Sequence, residues 1–154
     1  MTTVDDLKII GIAVRTTNKN NQSAQDIGKL WEQFYSQGLP EKIPNKLSND
    51  IYAVYTDYKS DYRDEYTTII GLQVSSLDNI PSGLMGRHLA PETFNVFTAK
   101  GSMPKAVMEA WFEIWQRDSE LQRKYTYDFE CYGDASQNGD NSEVKIYVAT
   151  KRHE

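Results

Sequence analysis

The sequence predicts an α+β fold: two copies of a β-α-β-β unit related by a pseudo-two-fold axis. They share one antiparallel sheet, with helices on one face and a ligand cleft between the repeats. Three observations carry this. The order strand, helix, strand, strand occurs twice along the chain, the halves overlay by residue type, and 154 residues suit one domain. The domain is read as 1–154, with repeat one at about 7–76 and repeat two at about 84–151.

The β-rich run Leu7 to Arg15 opens the first repeat, and a polar loop from Thr16 to Asn21 follows. Ser23 with Asp26 three residues on has the form of a capping box. Ile27, Leu30, Trp31 and Phe34 then recur at the spacing of one helix face, and Gly38, Pro40 and Pro44 end the helix. Two strands are expected at Ile51 to Thr56 and Tyr66 to Val74. In the second repeat, Phe94 to Ala99 reads as a strand. Val107, Ala110, Trp111, Ile114 and Trp115 mark a helix opened by Pro104. Tyr127 to Tyr132 and Val144 to Ala149 form a hairpin around Asn138-Gly139, a favoured turn pair. Gly83 to Ala90 adds a further strand before Pro91.

Composition narrows the function. Seventeen basic against twenty-two acidic residues give a net charge of −5 with no basic stripe, which argues against direct nucleic-acid binding. No apolar run of about 18 residues is present and the amino terminus lacks signal-peptide character, so no membrane role and a cytoplasmic location are expected. A lone cysteine, Cys131, forms no intramolecular disulfide framework. Only two histidines, His88 and His153, are present and a metal site needs three or four clustered ligands, so neither metal nor cofactor is expected. Ten tyrosines, three tryptophans and five phenylalanines exceed what a small core needs and suggest a lined cavity.

The overlay of the halves isolates one residue. Ile51 to Asp57 falls on Asp128 to Asp134, which sets Tyr55 on Tyr132 and Ala53 on Glu130. A small neutral residue at the mate position means that the fold does not need a carboxylate there. Strand alternation puts Glu130 on one face with Asp128 and Tyr132, and Phe129 and Cys131 on the other. With Phe129 and Cys131 assigned to the helices, Glu130 points to the open side. A carboxylate in an aromatic cleft is costly to desolvate unless paired. A ligand cation, helped by aromatic faces, is the expected partner.

Two stretches carry a resemblance to a known family. Leu89 to Gly101 resembles a proline, aromatic, valine-phenylalanine strand ending in glycine. Trp115 to Ser119 followed by Tyr127-Asp128-Phe129-Glu130-Cys131-Tyr132 resembles a tryptophan-serine helix and a phenylalanine-glutamate-any-tyrosine strand. Tyr66 to Gly71 resembles a first-half strand. Together these look like the GyrI-like family, the effector-binding domain of AraC- and MerR-type multidrug-responsive regulators. The resemblance implies a small-molecule binder for lipophilic, cationic aromatic compounds, with Glu130 matching the family glutamate and Tyr132 and Tyr66 matching family aromatics. Trp111, Tyr52 and Tyr147 are added as ligand-binding candidates from strand and helix faces. Arg117-Asp118 stands where the family has a proline. The chain resembles stand-alone members, which sequester a compound or touch a protein such as a transcription or topoisomerase component, as monomer or homodimer.

Two other readings stay open. A hydrolase of reactive electrophiles would use Glu130 as general base and Tyr66 or Tyr132 as donor. An interaction or inhibitor module would use the acidic loops, with Asp57, Asp61, Asp64 and Glu65 in one and Asp134, Asp140 and Glu143 in the other. Cys131 with His88 as a nucleophile pair is disfavoured, because Cys131 reads as a small buried hydrophobe.

Overall fold

Amphipathic patterning builds every element here, and strand order decides what each face meets. The computed structural model describes residues 2–151. Its strands are β1 (Thr2–Val4), β2 (Leu7–Thr17), β3 (Lys46–Thr56), β4 (Glu65–Val74), β5 (Met85–Leu89), β6 (Glu92–Lys100), β7 (Tyr127–Tyr132) and β8 (Glu143–Ala149). The helices are α1 (Gln22–Ser36), α3 (Lys105–Gln116) and two single turns, α2 (Leu39–Lys42) and α4 (Asp118–Leu121). The strands form one antiparallel sheet in the order β1-β6-β8-β7-β3-β4-β2-β5.

The order β6-β8-β7 mirrors β2-β4-β3, and the two units meet at β3 and β7. In that seam Ala53 lies directly opposite Glu130. The two residues that the overlay makes equivalent are thus cross-strand neighbours, so the pseudo-two-fold axis passes through them. Glu130 sits at the centre of the molecule.

The helices α1 and α3 cover one face of the sheet. Leu30 and Phe34 of α1 pack with Ile10, Ile12, Ile70 and Leu72, while Val107 and Ile114 of α3 pack with Val144, Ile146 and Val148. The opposite face holds a third core in which Leu7 and Ile9 of β2 join Phe94 of β6 and Phe129 of β7. Since β2 and β6 lie towards opposite ends of the strand order, the sheet curls to bring them together. Gly11 and Gly71 pair across β2 and β4, where a Cβ on Gly11 would come within 2.0 Å of the Ile70 carbonyl oxygen. That close approach admits only glycine.

Several expectations change. Gly38, with φ +61, ends α1, but Pro40 then serves in the first turn of α2. Helix α1 begins at Gln22, after two left-handed asparagines, Asn20 and Asn21, so Ser23 lies inside it. Asp26 instead accepts from the Thr16 hydroxyl at 2.9 Å and the Gln22 amide at 3.1 Å. Strand β3 starts at Lys46, with an irregularity before Ile51. Asn138 has φ −117, so no tight Asn-Gly turn forms, and β7 and β8 are joined by a loop with two 3-10 turns. The segment Gly83 to Ala90 does supply a strand, β5.

The largest correction concerns the faces. Glu130 points towards the helices, and Phe129 and Cys131 point away from them. The face expected to stay open is filled by the core around Phe94, Tyr127 and Phe129. Helix α3 covers the Glu130 face because its apolar stripe, Ala106, Val107 and Ile114, faces the Val144, Ile146 and Val148 side of β8.

Candidate functional site

Period-two alternation on β3, β4 and β7 delivers Tyr55, Tyr66, Glu130 and Tyr132 to the helix-covered face, where α3 adds Trp111. Glu130 is 1% exposed. Its Oε2 accepts from the Tyr55 hydroxyl at 2.7 Å and from Trp111 Nε1 at 2.6 Å. Its Oε1 accepts from the Tyr132 hydroxyl at 2.5 Å. Tyr55 and Tyr132 are the pseudo-symmetric mates of the overlay, so the two halves contribute one tyrosine each to the axial carboxylate.

All three donors are neutral. Burial pushes the Glu130 carboxyl above its usual value, and the three hydrogen bonds hold it down only in part. Burial likewise pushes up the Tyr55 and Tyr132 hydroxyls, with the Glu130 charge adding to the effect. Tyr66, 5% exposed, is pushed up to about 12, mainly by burial. Its hydroxyl donates to Asn18 Oδ1 at 2.6 Å and not to Glu130.

The rings continue around the carboxylate. Tyr55 meets Trp111 edge-on at 5.5 Å between centroids, and Tyr66 at 5.9 Å. On the α1 side Trp31 meets Tyr132 edge-on at 5.0 Å. Thr68, opposite Tyr55 in the register, has a buried hydroxyl with no hydrogen-bond partner among the described residues. Trp31, Tyr55, Trp111 and Tyr132 are only half-buried, so the cluster keeps a solvent-facing rim.

A second polar group lies two residues along the strand. Asp128, fully buried, accepts from Arg123 Nη2 at 2.8 Å, from the Tyr58 hydroxyl at 2.5 Å and from the Ala149 amide at 2.8 Å. The Arg123 guanidinium lies over Trp111 at 5.5 Å and over Tyr125 at 4.4 Å.

Of the residues singled out from sequence, Glu130, Tyr132, Tyr66 and Trp111 come together. Tyr52 and Tyr147 do not: they lie on the opposite face, where Tyr147 stacks on Phe129 at 4.4 Å and Tyr52 packs at 5.7 Å. Cys131 shares that side, its thiol 3.9 Å from Asp50 Oδ2 and pushed up to about 11 by burial. His88 is on β5, 3.2 Å from Asp6, and no described contact links it to Cys131. Tyr55, Tyr58, Arg123 and Asp128 were not singled out. The signal for Tyr55 was present, because it falls on Tyr132 in the overlay. The sequence offered no comparable signal for Arg123.

Some of the loop carboxylates are paired with cations. Arg87 holds Asp57 at 2.8 Å and Arg63 holds Asp61 at 2.6 Å, drawing both carboxyls down, while Lys100 lies 3.5 Å from Glu143. No group of three His, Cys, Asp or Glu among the described residues could hold a metal ion; His153 lies outside them. No described helix is long and apolar enough to cross a membrane.

Comparison with known proteins agrees with this fold. The Bacillus subtilis protein YobU, named as a transcriptional regulator, is 28% identical over 99% of this chain and 97% of its own length. An integron cassette protein from the mobile metagenome of Vibrio cholerae superposes with a TM-score of 0.76 at 27% identity, covering 97% of this chain and 94% of that one. SAV2435, solved bound to tetraphenylphosphonium, shares the fold with a TM-score of 0.81 at 21% identity, over 97% and 92% of the two chains. The model of the Cass2 family, described as integron-associated effector binding protein, matches residues 1–150. On that match the chain belongs to this GyrI-like family of effector-binding proteins.

Proposed function

We propose that this protein binds lipophilic, cationic aromatic compounds in the cleft centred on Glu130, as an effector sensor or by sequestering them. One observation carries the reading. A fully buried carboxylate on the pseudo-symmetry axis contacts three neutral donors, and no cation among the described residues pairs with it. Three neutral hydrogen bonds leave part of its desolvation cost unpaid, and a ligand cation ringed by aromatic faces offsets that cost. Tetraphenylphosphonium bound to SAV2435, a protein of the same fold, supports the class of ligand.

The test is a tryptophan-fluorescence titration, since Trp111 touches the carboxylate. Tetraphenylphosphonium and the isosteric anion tetraphenylborate are titrated into the wild type and Glu130→Gln at one ionic strength. The wild type binds the cation in preference to the anion, and the variant binds the cation about tenfold or more weakly, ~1.4 kcal/mol. Equal cation affinity in the two proteins would sink the proposal. Recovery of the compound unchanged after binding separates a binder from a hydrolase that uses Glu130 as base.

A further inference from the structure

The Arg123–Asp128 pair is expensive as a structural device. The Arg123 side chain is 1% exposed and that of Asp128 is not exposed at all. A buried ion pair rarely gains more than it loses on leaving water, unless hydrogen bonds satisfy both partners. Asp128 is satisfied, but Arg123 is not. Its Nε and Nη1 have no hydrogen-bond partner among the described residues, and the nearest further anion, Asp118 Oδ1, is 3.6 Å from Nη1. What holds the guanidinium is the charge of Asp128, the more distant Asp118 and the faces of Trp111 and Tyr125. This is how a site of charge and aromatic rings holds a cationic ligand, through few directional bonds.

Position gives the pair its meaning. Asp128 and Glu130 are two residues apart on β7 and point to the same face, with their Cα atoms about 7 Å apart. Trp111 touches both centres, donating to Glu130 through Nε1 and lying against Arg123. The aromatic cleft therefore contains two anionic positions, one already filled by the protein's own cation. We infer that Arg123 is a resident cation that occupies the second anionic subsite, at Asp128, and restricts the cleft to ligands carrying a single positive charge. This rests on the cation-binding reading of Glu130 and adds a rule of charge number to it. With Arg123 in place the buried charges sum to one negative, which one ligand charge neutralises. A second positive charge on the ligand would have to displace the guanidinium or lie beside it.

The experiment compares two probes of one shape. One is the dication 1,4-bis(trimethylammoniomethyl)benzene, with its charges about 7 Å apart to match the strand spacing. The other is its monocationic isostere, in which carbon replaces one nitrogen. Each is measured by displacement of tetraphenylphosphonium. The wild type prefers the monocation by about tenfold or more, ~1.4 kcal/mol. In Arg123→Gln, which leaves Asp128 charged, the ratio moves towards the dication by at least about tenfold, and Arg123→Gln/Asp128→Asn restores the wild-type ratio. A general loosening of the fold would weaken both probes without moving the ratio.

Should Arg123→Gln fail to fold, Asp128→Asn gives the second arm. There Arg123, still 3.6 Å from Asp118, is no longer offset by Asp128, so the buried charges sum to zero and monocation affinity falls about tenfold with Glu130 intact. An unmoved ratio in folded Arg123→Gln, or wild-type monocation affinity in Asp128→Asn, overturns the inference. The parent reading fails by a different result: no binding of either probe, or binding that Glu130→Gln leaves untouched.

Discussion

Neighbouring residues of β7 enter two environments that are equally dry and chemically opposite. Phe129, 3% exposed, stacks on Tyr147 and meets Phe94 edge-on at 5.3 Å. Glu130, 1% exposed, is ringed by as many aromatic groups, yet these turn their O–H and N–H groups inward. On the first face aromatic area is removed from water and nothing polar is lost, which is the ordinary source of stability. On the second a charge has been taken out of water, and its neighbours compensate only in part. The pseudo-symmetric mate Ala53 shows that the sheet closes as well with a methyl group. Packing around Phe129 only stabilises, whereas around Glu130 the fold gives up some stability for a group it does not require.

The comparison breaks first at Phe129. Phe129→Ala is expected to cost about 3–5 kcal/mol, read as a lower midpoint in urea unfolding. The variant, where still folded, keeps the cation affinity of the wild type. Loss of binding in a folded Phe129→Ala protein would show that the two faces are not independent.

Tyr55→Phe probes the other face at nearly constant volume. It removes one of the three donors to a charged acceptor, at an expected cost of about 1.5–3 kcal/mol at neutral pH. The same substitution at its mate, Tyr132→Phe, should cost a similar amount. If either variant is as stable as wild type, the hydrogen bonds at Glu130 are not holding the closed arrangement together.

Sequence reasoning reached the repeat, the order of elements within each unit and the equivalence of Glu130 with Ala53, because all three follow from local patterning. The side of the sheet on which Glu130 lies was another matter. Alternation separates Phe129 from Glu130 without saying which one faces the helices, and a rule that apolar residues face helices chose wrongly. The curl of the sheet decides it, and curl depends on contacts between β2 and β6 that are remote in sequence. Tyr52 does not depend on that choice: it falls on Phe129 in the overlay, so alternation sets it on the face opposite Glu130 whichever face the helices cover. Arg123 escaped notice because it stands outside strand and helix, in the turn before β7. Only the folded chain brings it over Trp111.

Glu130→Gln sharpens the comparison through pH. The folded carboxyl titrates above its ordinary value, so the native state binds more protons than the unfolded chain between those two values. Stability from this group is therefore full below the ordinary carboxylate range and is lost as pH rises through the raised value. Glutamine carries no such penalty. The variant should be more stable than wild type at pH 7, read as a higher Tm, with the gain shrinking towards pH 4. A gain independent of pH would mean that the carboxylate's desolvation is fully compensated in the native protein.

The smallest effect is expected at a ligand contact named from sequence that lies on the side of the sheet away from Glu130. The Tyr52 hydroxyl donates to Gln73 Oε1 at 3.2 Å on the Phe129 side, half-buried and away from the carboxylate. Tyr52→Phe keeps the ring against Phe129 and loses one long neutral hydrogen bond, worth about 0.5 kcal/mol. Cation affinity should be unchanged within error, in contrast to Glu130→Gln. A tenfold loss in Tyr52→Phe would move the cleft to the other side of the sheet. The curled core of Phe94, Tyr127 and Phe129 would then have to open to admit a ligand, at a cost that the Phe129→Ala measurement would bound.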